Sequence, residues 1–172
     1  MDRFKDLLDM HAKKTLPPVQ LWQPKHVGRI DIQIDASGNW FHEGDKITRQ
    51  ALVNLFSTIL RKEGDNFYLV TPVEKLQISV ADAPFIAIDM EVRNAGPLMD
   101  LLFTTNVGDI VLIDRAHPLY MHNQAPYIEV RDGLAAKLSR SVFYRLVEIG
   151  VESNDTLIVY SQGVDFSLGS TV

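Results

Sequence analysis

The chain has no cysteine in its 172 residues, which excludes disulfides, thiolate nucleophiles and zinc–thiolate sites. It also lacks any apolar run near the ~18 residues that a membrane-spanning helix needs. The start, Met1-Asp2-Arg3-Phe4-Lys5-Asp6, has no apolar core of the kind a signal peptide carries, so the expected location is the cytoplasm, away from membranes. Cations are few and scattered: Lys and Arg total 17 against 22 Asp and Glu, for a net charge of -5. Such a chain cannot neutralise a long phosphate backbone, and no extended nucleic acid is expected as a partner. One small anion needs only a few local arginines and stays open. Glycine-rich phosphate loops are absent, and Ser79, Ser139, Ser141 and Ser161 sit in no nucleophile-elbow sequence. Hydrolase and nucleoside-triphosphatase chemistry therefore have no motif, and no cofactor is expected.

What is present is a globular balance, 46% hydrophobic and 23% charged, and a repeat. Ile47-Thr48-Arg49-Gln50-Ala51-Leu52-Val53-Asn54-Leu55-Phe56 matches Leu138-Ser139-Arg140-Ser141-Val142-Phe143-Tyr144-Arg145-Leu146-Val147 in pattern. Each copy has an apolar residue, a hydroxyl cap, an arginine and an apolar helical face. Each then runs through a glycine, Gly64 or Gly150, into a strand-like segment ending in a hydroxyl, residues 67–71 or 157–161. Two copies are too few for a solenoid and point to two related domains packed together.

Along the chain, residues 2–14 read as a short helix with Phe4, Leu7, Leu8 and His11 on one face, Lys13 and Lys14 in the last turn, and Pro17-Pro18 as its stop. Residues 30–35 alternate strictly, turn at Asp35-Ala36-Ser37-Gly38, and return through residues 39–42 as a hairpin. Thr48 is expected to cap a helix whose stripe is Ala51, Leu52, Leu55, Phe56, Ile59 and Leu60, ended by Gly64-Asp65-Asn66. Strands follow near residues 67–70 and 75–80, and Asp82-Ala83-Pro84 is the expected junction. The second half offers strands at 85–92, 101–105, 110–114 and 127–131. Ser139 then caps a helix with Val142, Phe143, Leu146 and Val147 inward, and Gly150 takes the left-handed cap position. Strands near 156–161 and 164–168 complete it. The expected fold class is α+β, two duplicated domains each with a mostly antiparallel sheet and one main helix. The expected divisions are a helix and linker over 1–18, a first domain over 19–82 and a second over 83–172.

Trp22, Pro24, His26, Asp31, Trp40, His42 and Arg49 form the densest polar and aromatic cluster, holding both tryptophans. Trp40 and His42 alternate onto one strand face, where a ring beside an imidazole would stack and hydrogen-bond a planar ligand. The plainer alternative is that the tryptophans cover a small core and the histidines cap loops. A metal at His26, His42 and Asp31 lacks the i, i+3 or i, i+4 spacing of helical ligand pairs. Arg49 and Arg140 share one repeat position at a helix start, where a cation opposes the dipole but helps receive a phosphate or carboxylate. The alternative there is an ion pair with Asp31, Asp45 or Glu129. Glu74, Lys75, Arg93, His117 and Arg131 are further polar candidates near strand ends.

The stretches Trp22-Gln23-Pro24-Lys25-His26-Val27-Gly28-Arg29-Ile30-Asp31-Ile32, Gly38-Asn39-Trp40-Phe41-His42-Glu43-Gly44, Ile47-Thr48-Arg49 and Tyr68-Leu69-Val70-Thr71-Pro72-Val73-Glu74-Lys75 resemble the bacterial domain-of-unknown-function family 1285. Asp82-Ala83-Pro84-Phe85, Thr105-Asn106, Pro126-Tyr127-Ile128-Glu129-Val130-Arg131-Asp132-Gly133-Leu134 and Arg140 extend the resemblance through the second half. It implies duplicated α+β domains, the second superficially pleckstrin-homology-like. It also implies a nucleotide-like ligand at the domain interface and a role in signalling. The first reading is thus a cytoplasmic regulatory or sensor protein for a small anionic ligand, with Trp22, His26, Trp40, His42, Arg49 and Arg131 as ligand-binding residues. A protein-interaction module using sheet edges or the N-terminal helix is the second. An enzyme with His26 or His42 as general base, oriented by Asp31, is the third.

Overall fold

The computed structural model describes residues 2–13 and 15–172, with the side chains of residues 11–13 outside the description. The positions expected for the His11 and Lys13 side chains and for Lys14 therefore lie outside the described residues. Helix α1 (Arg3–Lys13) is capped by Asp2, whose carboxylate accepts from the Phe4 and Lys5 amides at 3.1 and 3.4 Å.

The first half builds one six-stranded sheet from β1 (His26–Ile34), β2 (Trp40–His42), β3 (Asp45–Lys46), β4 (Leu60–Glu63), β5 (Asn66–Val70) and β6 (Glu74–Val80), in the order β3-β2-β1-β6-β5-β4. Every neighbouring pair is antiparallel except β1 and β6. The alternating isoleucines work as expected: Ile32 and Ile34 are buried while Asp31 and Gln33 are exposed. Asp35 holds the hairpin turn by accepting from the Ser37 and Asn39 amides. Helix α2 (Gln50–Thr58) lies on the isoleucine face, with Phe56 stacked on Trp40.

Three expectations for α2 fail, each for a local reason. Thr48 is not its cap: the Ile47 amide bonds the Trp40 carbonyl, which keeps the chain extended, and Arg49 becomes the N-cap with no side-chain bond to the helix. The helix does not run to Gly64. Ser57 and Thr58 bond back to the Asn54 and Leu55 carbonyls, the chain leaves the helix at Ile59, and β4 pairs with β5 through a turn at Gly64. The stripe shifts accordingly: Val53 and Ser57 are buried, whereas Leu55 is 60% exposed.

The second half builds another six-stranded sheet from β7 (Phe85–Arg93), β8 (Asp100–Thr105), β9 (Ile110–Leu112), β10 (Leu119–His122), β11 (Ala125–Arg131) and β12 (Leu134–Leu138), in the order β10-β11-β12-β7-β8-β9 with β12 and β7 parallel. Helix α3 (Arg140–Glu148) follows, capped as expected by Ser139, whose hydroxyl accepts from the Val142 amide. Val142 and Leu146 are buried, while Val147 is 37% exposed. A third sheet, β13 (Val151–Ser153), β14 (Thr156–Ser161) and β15 (Val164–Ser170), finishes the chain. Gly150 is not a left-handed cap. It lies against Leu157, so that a Cβ would sit 2.7 Å from Leu157 Cδ1.

The molecule is α+β, and its duplication is visible in connectivity: α2-β4-β5-β6 and α3-β13-β14-β15 each run helix, then three-stranded meander. The chain divides into two compact units, one holding α1 with residues 85–131 and 135–172, the other residues 15–84 and 132–134. In the former, Phe4 packs on Leu102 and Ile110, with Leu7, Leu8 and Leu112 around them.

Candidate functional site

Of the six residues singled out by sequence, Trp22, His26, Trp40, His42 and Arg49 share one unit without forming one cluster there, and Arg131 belongs to the other unit. His42 lies opposite Ile32 on β1, and His26 is six residues away along that strand, about 20 Å at strand rise. His26 faces Glu74 at 4.0 Å and His42 faces Glu43 at 4.0 Å. Asp31 projects from the opposite face of β1, so it orients neither imidazole. Among the described residues no group of three His, Asp or Glu side chains could hold a metal ion.

Trp40 is in the core, 1% exposed, its ring 6.2 Å from that of Phe56, and its Nε1 has no hydrogen-bond partner among the described residues. It supports the sheet and does not wall a ligand. Trp22 is half-buried and its carbonyl is held by the Arg61 guanidinium, which also bonds the Val19 carbonyl and Glu63. Arg131 is 3.5 Å from Asp109 and lies over the Phe85 ring. Arg61 was not visible as a site: its stretch reads as the end of a helix, and only strand pairing turns the side chain onto the 19–22 segment.

Arg49 differs from these. It is exposed and makes no ion pair among the described residues, and neither does Arg140, so the ion-pair alternative is not what holds either of them. At the start of α2 the N-cap side chain bonds no helix amide, unlike Ser139 at α3. An uncapped helix start carries partial positive charge, and Arg49 adds a full one.

A second feature lies in the unit that holds β10 and β15. An open groove of about 450 Å³ runs beside these strands, lined by Leu119, Tyr120, Met121, Asp165, Phe166, Ser167 and Gly169. Leu119 and Phe166 are buried, while Tyr120, Asp165 and Ser167 are exposed. Tyr120 stacks on Tyr127 at 5.8 Å, and His122 meets Tyr127 edge-on. Sequence reasoning missed β10. The signal for it was the turn Asn123-Gln124, both with positive φ, but Gln in place of Gly hid it.

Polar and ionic contacts tie together the unit that holds α1. Asp100 accepts from Arg93 at 2.7 Å and from the Gln162 amide and side chain. Burial raises the Asp100 carboxyl, but these donors outweigh it and hold the group below its ordinary range. Ser161 Oγ, fully buried, donates to the Ile113 carbonyl and accepts from the Leu101 amide, so this hydroxyl joins sheets and is no nucleophile. Asp89 accepts from Arg3 and Arg145, pinning α1 and α3 to β7.

Known proteins agree with this architecture. The model of a domain of unknown function, DUF1285 N-terminal domain, matches residues 17–83, and that of the DUF1285 C-terminal domain matches residues 84–168. A solved DUF1285 family protein from Silicibacter pomeroyi DSS-3 is 43% identical, with 95% of this chain and 94% of that one covered and a TM-score of 0.88. Another from Shewanella baltica OS155 is 29% identical over 68% of this chain and 90% of that one, with a TM-score of 0.55. A search of curated proteins finds no match. With two family domains covering nearly the whole chain and a relative of the same fold, the protein belongs to the DUF1285 family.

Proposed function

We propose that this protein is a cytoplasmic regulatory or sensor protein that binds a small anionic, nucleotide-like ligand and acts in signal transduction, with the start of α2 receiving the anion. The supporting observation is Arg49, an exposed cation with no ion pair among the described residues, at a helix start whose N-cap side chain bonds no helix amide. Both charges there are unfavourable together, and a bound phosphate relieves both. Trp40 has no part in the contact, because its ring is covered by Phe56.

The test is the thermal midpoint of the full chain against nucleotides, cyclic and oligonucleotide second messengers and phosphorylated metabolites. Saturable stabilisation by one chemical class, lost in Arg49→Ala, supports the proposal. Absence of any shift across the panel sinks it.

A protein-interaction module is the second reading, favoured by β10, an edge strand of its sheet beside an open groove. A stoichiometric partner retained from cell extract by wild type and Arg49→Ala alike, with no thermal shift from any small molecule, would select it over the first.

A further inference from the structure

We infer that the groove beside β10 and β15 is a recognition site for an organic cation, an alkylammonium or guanidinium group. The polarity of its lining points to that class. The Asp165 carboxylate is exposed and has no hydrogen-bond or ion-pair partner among the described residues, and no Lys, Arg or His is among the residues that line the groove.

Backbone geometry adds acceptors. The Glu129 amide bonds the Pro118 carbonyl, and Tyr120 lies opposite Tyr127, which makes the pairs at 118, 120 and 122 the hydrogen-bonded ones. The main-chain groups of Leu119 and Met121 therefore point away from β11, and β10 has no strand on that side in its sheet. Their N–H groups face the same way as their carbonyls, so Asp165 sets the sign of the site. The Ser167 hydroxyl is a further acceptor on the rim.

Tyr120 completes the set. Its ring stacks on Tyr127 at an interplanar angle of 17°, and Tyr120 is among the residues that line the groove. An aromatic ring in the same groove as a carboxylate adds attraction for a cation through its quadrupole. The buried Leu119 and Phe166 beneath offer an apolar floor for the aliphatic stem that carries such a group. This site and the α2 start belong to different units, and different residues report on each.

The experiment is an amide and tyrosine NMR titration of the full chain with putrescine, with agmatine, with a capped Gly-Lys-Gly peptide and with glutarate as the anionic control. Saturable shifts at Leu119, Met121 and Tyr120 with a cation, and none with glutarate, are expected. Asp165→Asn, an exposed substitution that leaves the core intact, should weaken binding by about tenfold. Tyr120→Leu should weaken it several-fold while Ser167→Ala changes it less. Binding of the small amines assigns the site to a free cation, and binding of the peptide alone assigns it to a lysine of a partner chain. No saturable shift at millimolar cation, or binding that Asp165→Asn leaves unchanged, overturns the inference.

Discussion

Gly150 and Asp100 show how single residues carry this fold. A methyl group at Gly150 would meet Leu157 Cδ1 at 2.7 Å and Cγ at 2.8 Å, so Gly150→Ala should destabilise the protein by about 1–3 kcal/mol through overpacking. Urea unfolding measures this, and a neutral result would mean that Leu157 moves freely. Asp100 predicts a pH dependence. Its folded carboxyl is held below the ordinary range by Arg93 and Gln162 against the opposing effect of burial, and Asp89, Asp114, Asp35 and Glu63 are lowered too. The folded state then binds fewer protons than the unfolded one in acid. Stability from these groups is present above the unfolded carboxylate value of about 4 and is lost as pH falls through the lower folded values. Unfolding free energy should therefore be level near neutrality and decline below about pH 4–5, with a shallower decline in Asp100→Asn. At the candidate site, Arg49→Ala should leave stability within about 0.5 kcal/mol, as a surface change does. Trp40→Ala should cost about 3–5 kcal/mol, because that ring is core.

At the scale of elements, local chemistry explains what the sequence displayed and what it hid. The β1–β2 hairpin was legible because alternating isoleucines and an Asp35 turn agree with each other. The α3 start was legible because Ser139 is both a good cap and free to act as one. The α2 boundaries were not, because Thr48 is held extended by the Trp40–Ile47 bond and because Leu60 has the same apolar character in a helix as in a strand. Such decisions are made by pairing partners far along the chain. Helix α1 is legible as amphipathic, but its packing against Leu102 and Ile110 is not readable from its own residues. Eleven residues make a marginal helix alone, so its order depends on that contact. In Phe4→Ala the α1 amides should lose hydrogen-exchange protection while those of β8 keep it. Joint loss in both elements would mean that α1 is integral to the sheet's stability.

For the whole molecule, the repeat seen in the sequence corresponds to two copies of helix plus meander, but the copies end differently. The meander after α2 extends the first sheet through β6 beside β1, whereas the meander after α3 stays a separate sheet. The β10 edge and its groove lie in the unit that holds α3, and no pattern in the repeat signals them. The candidate site was less legible than the fold. Sequence proximity grouped His26, Trp40, His42 and Arg49, but strand direction separates the histidines and packing buries the tryptophan. What survives is Arg49 on an uncapped helix start, which is the central claim. Its most direct test is an amide NMR titration of wild type and Arg49→Ala with pyrophosphate and with AMP. The account predicts saturable shifts in the first turn of α2 that vanish in Arg49→Ala while the fold is retained. Equal shifts in both proteins, or none at α2 in either, would contradict it.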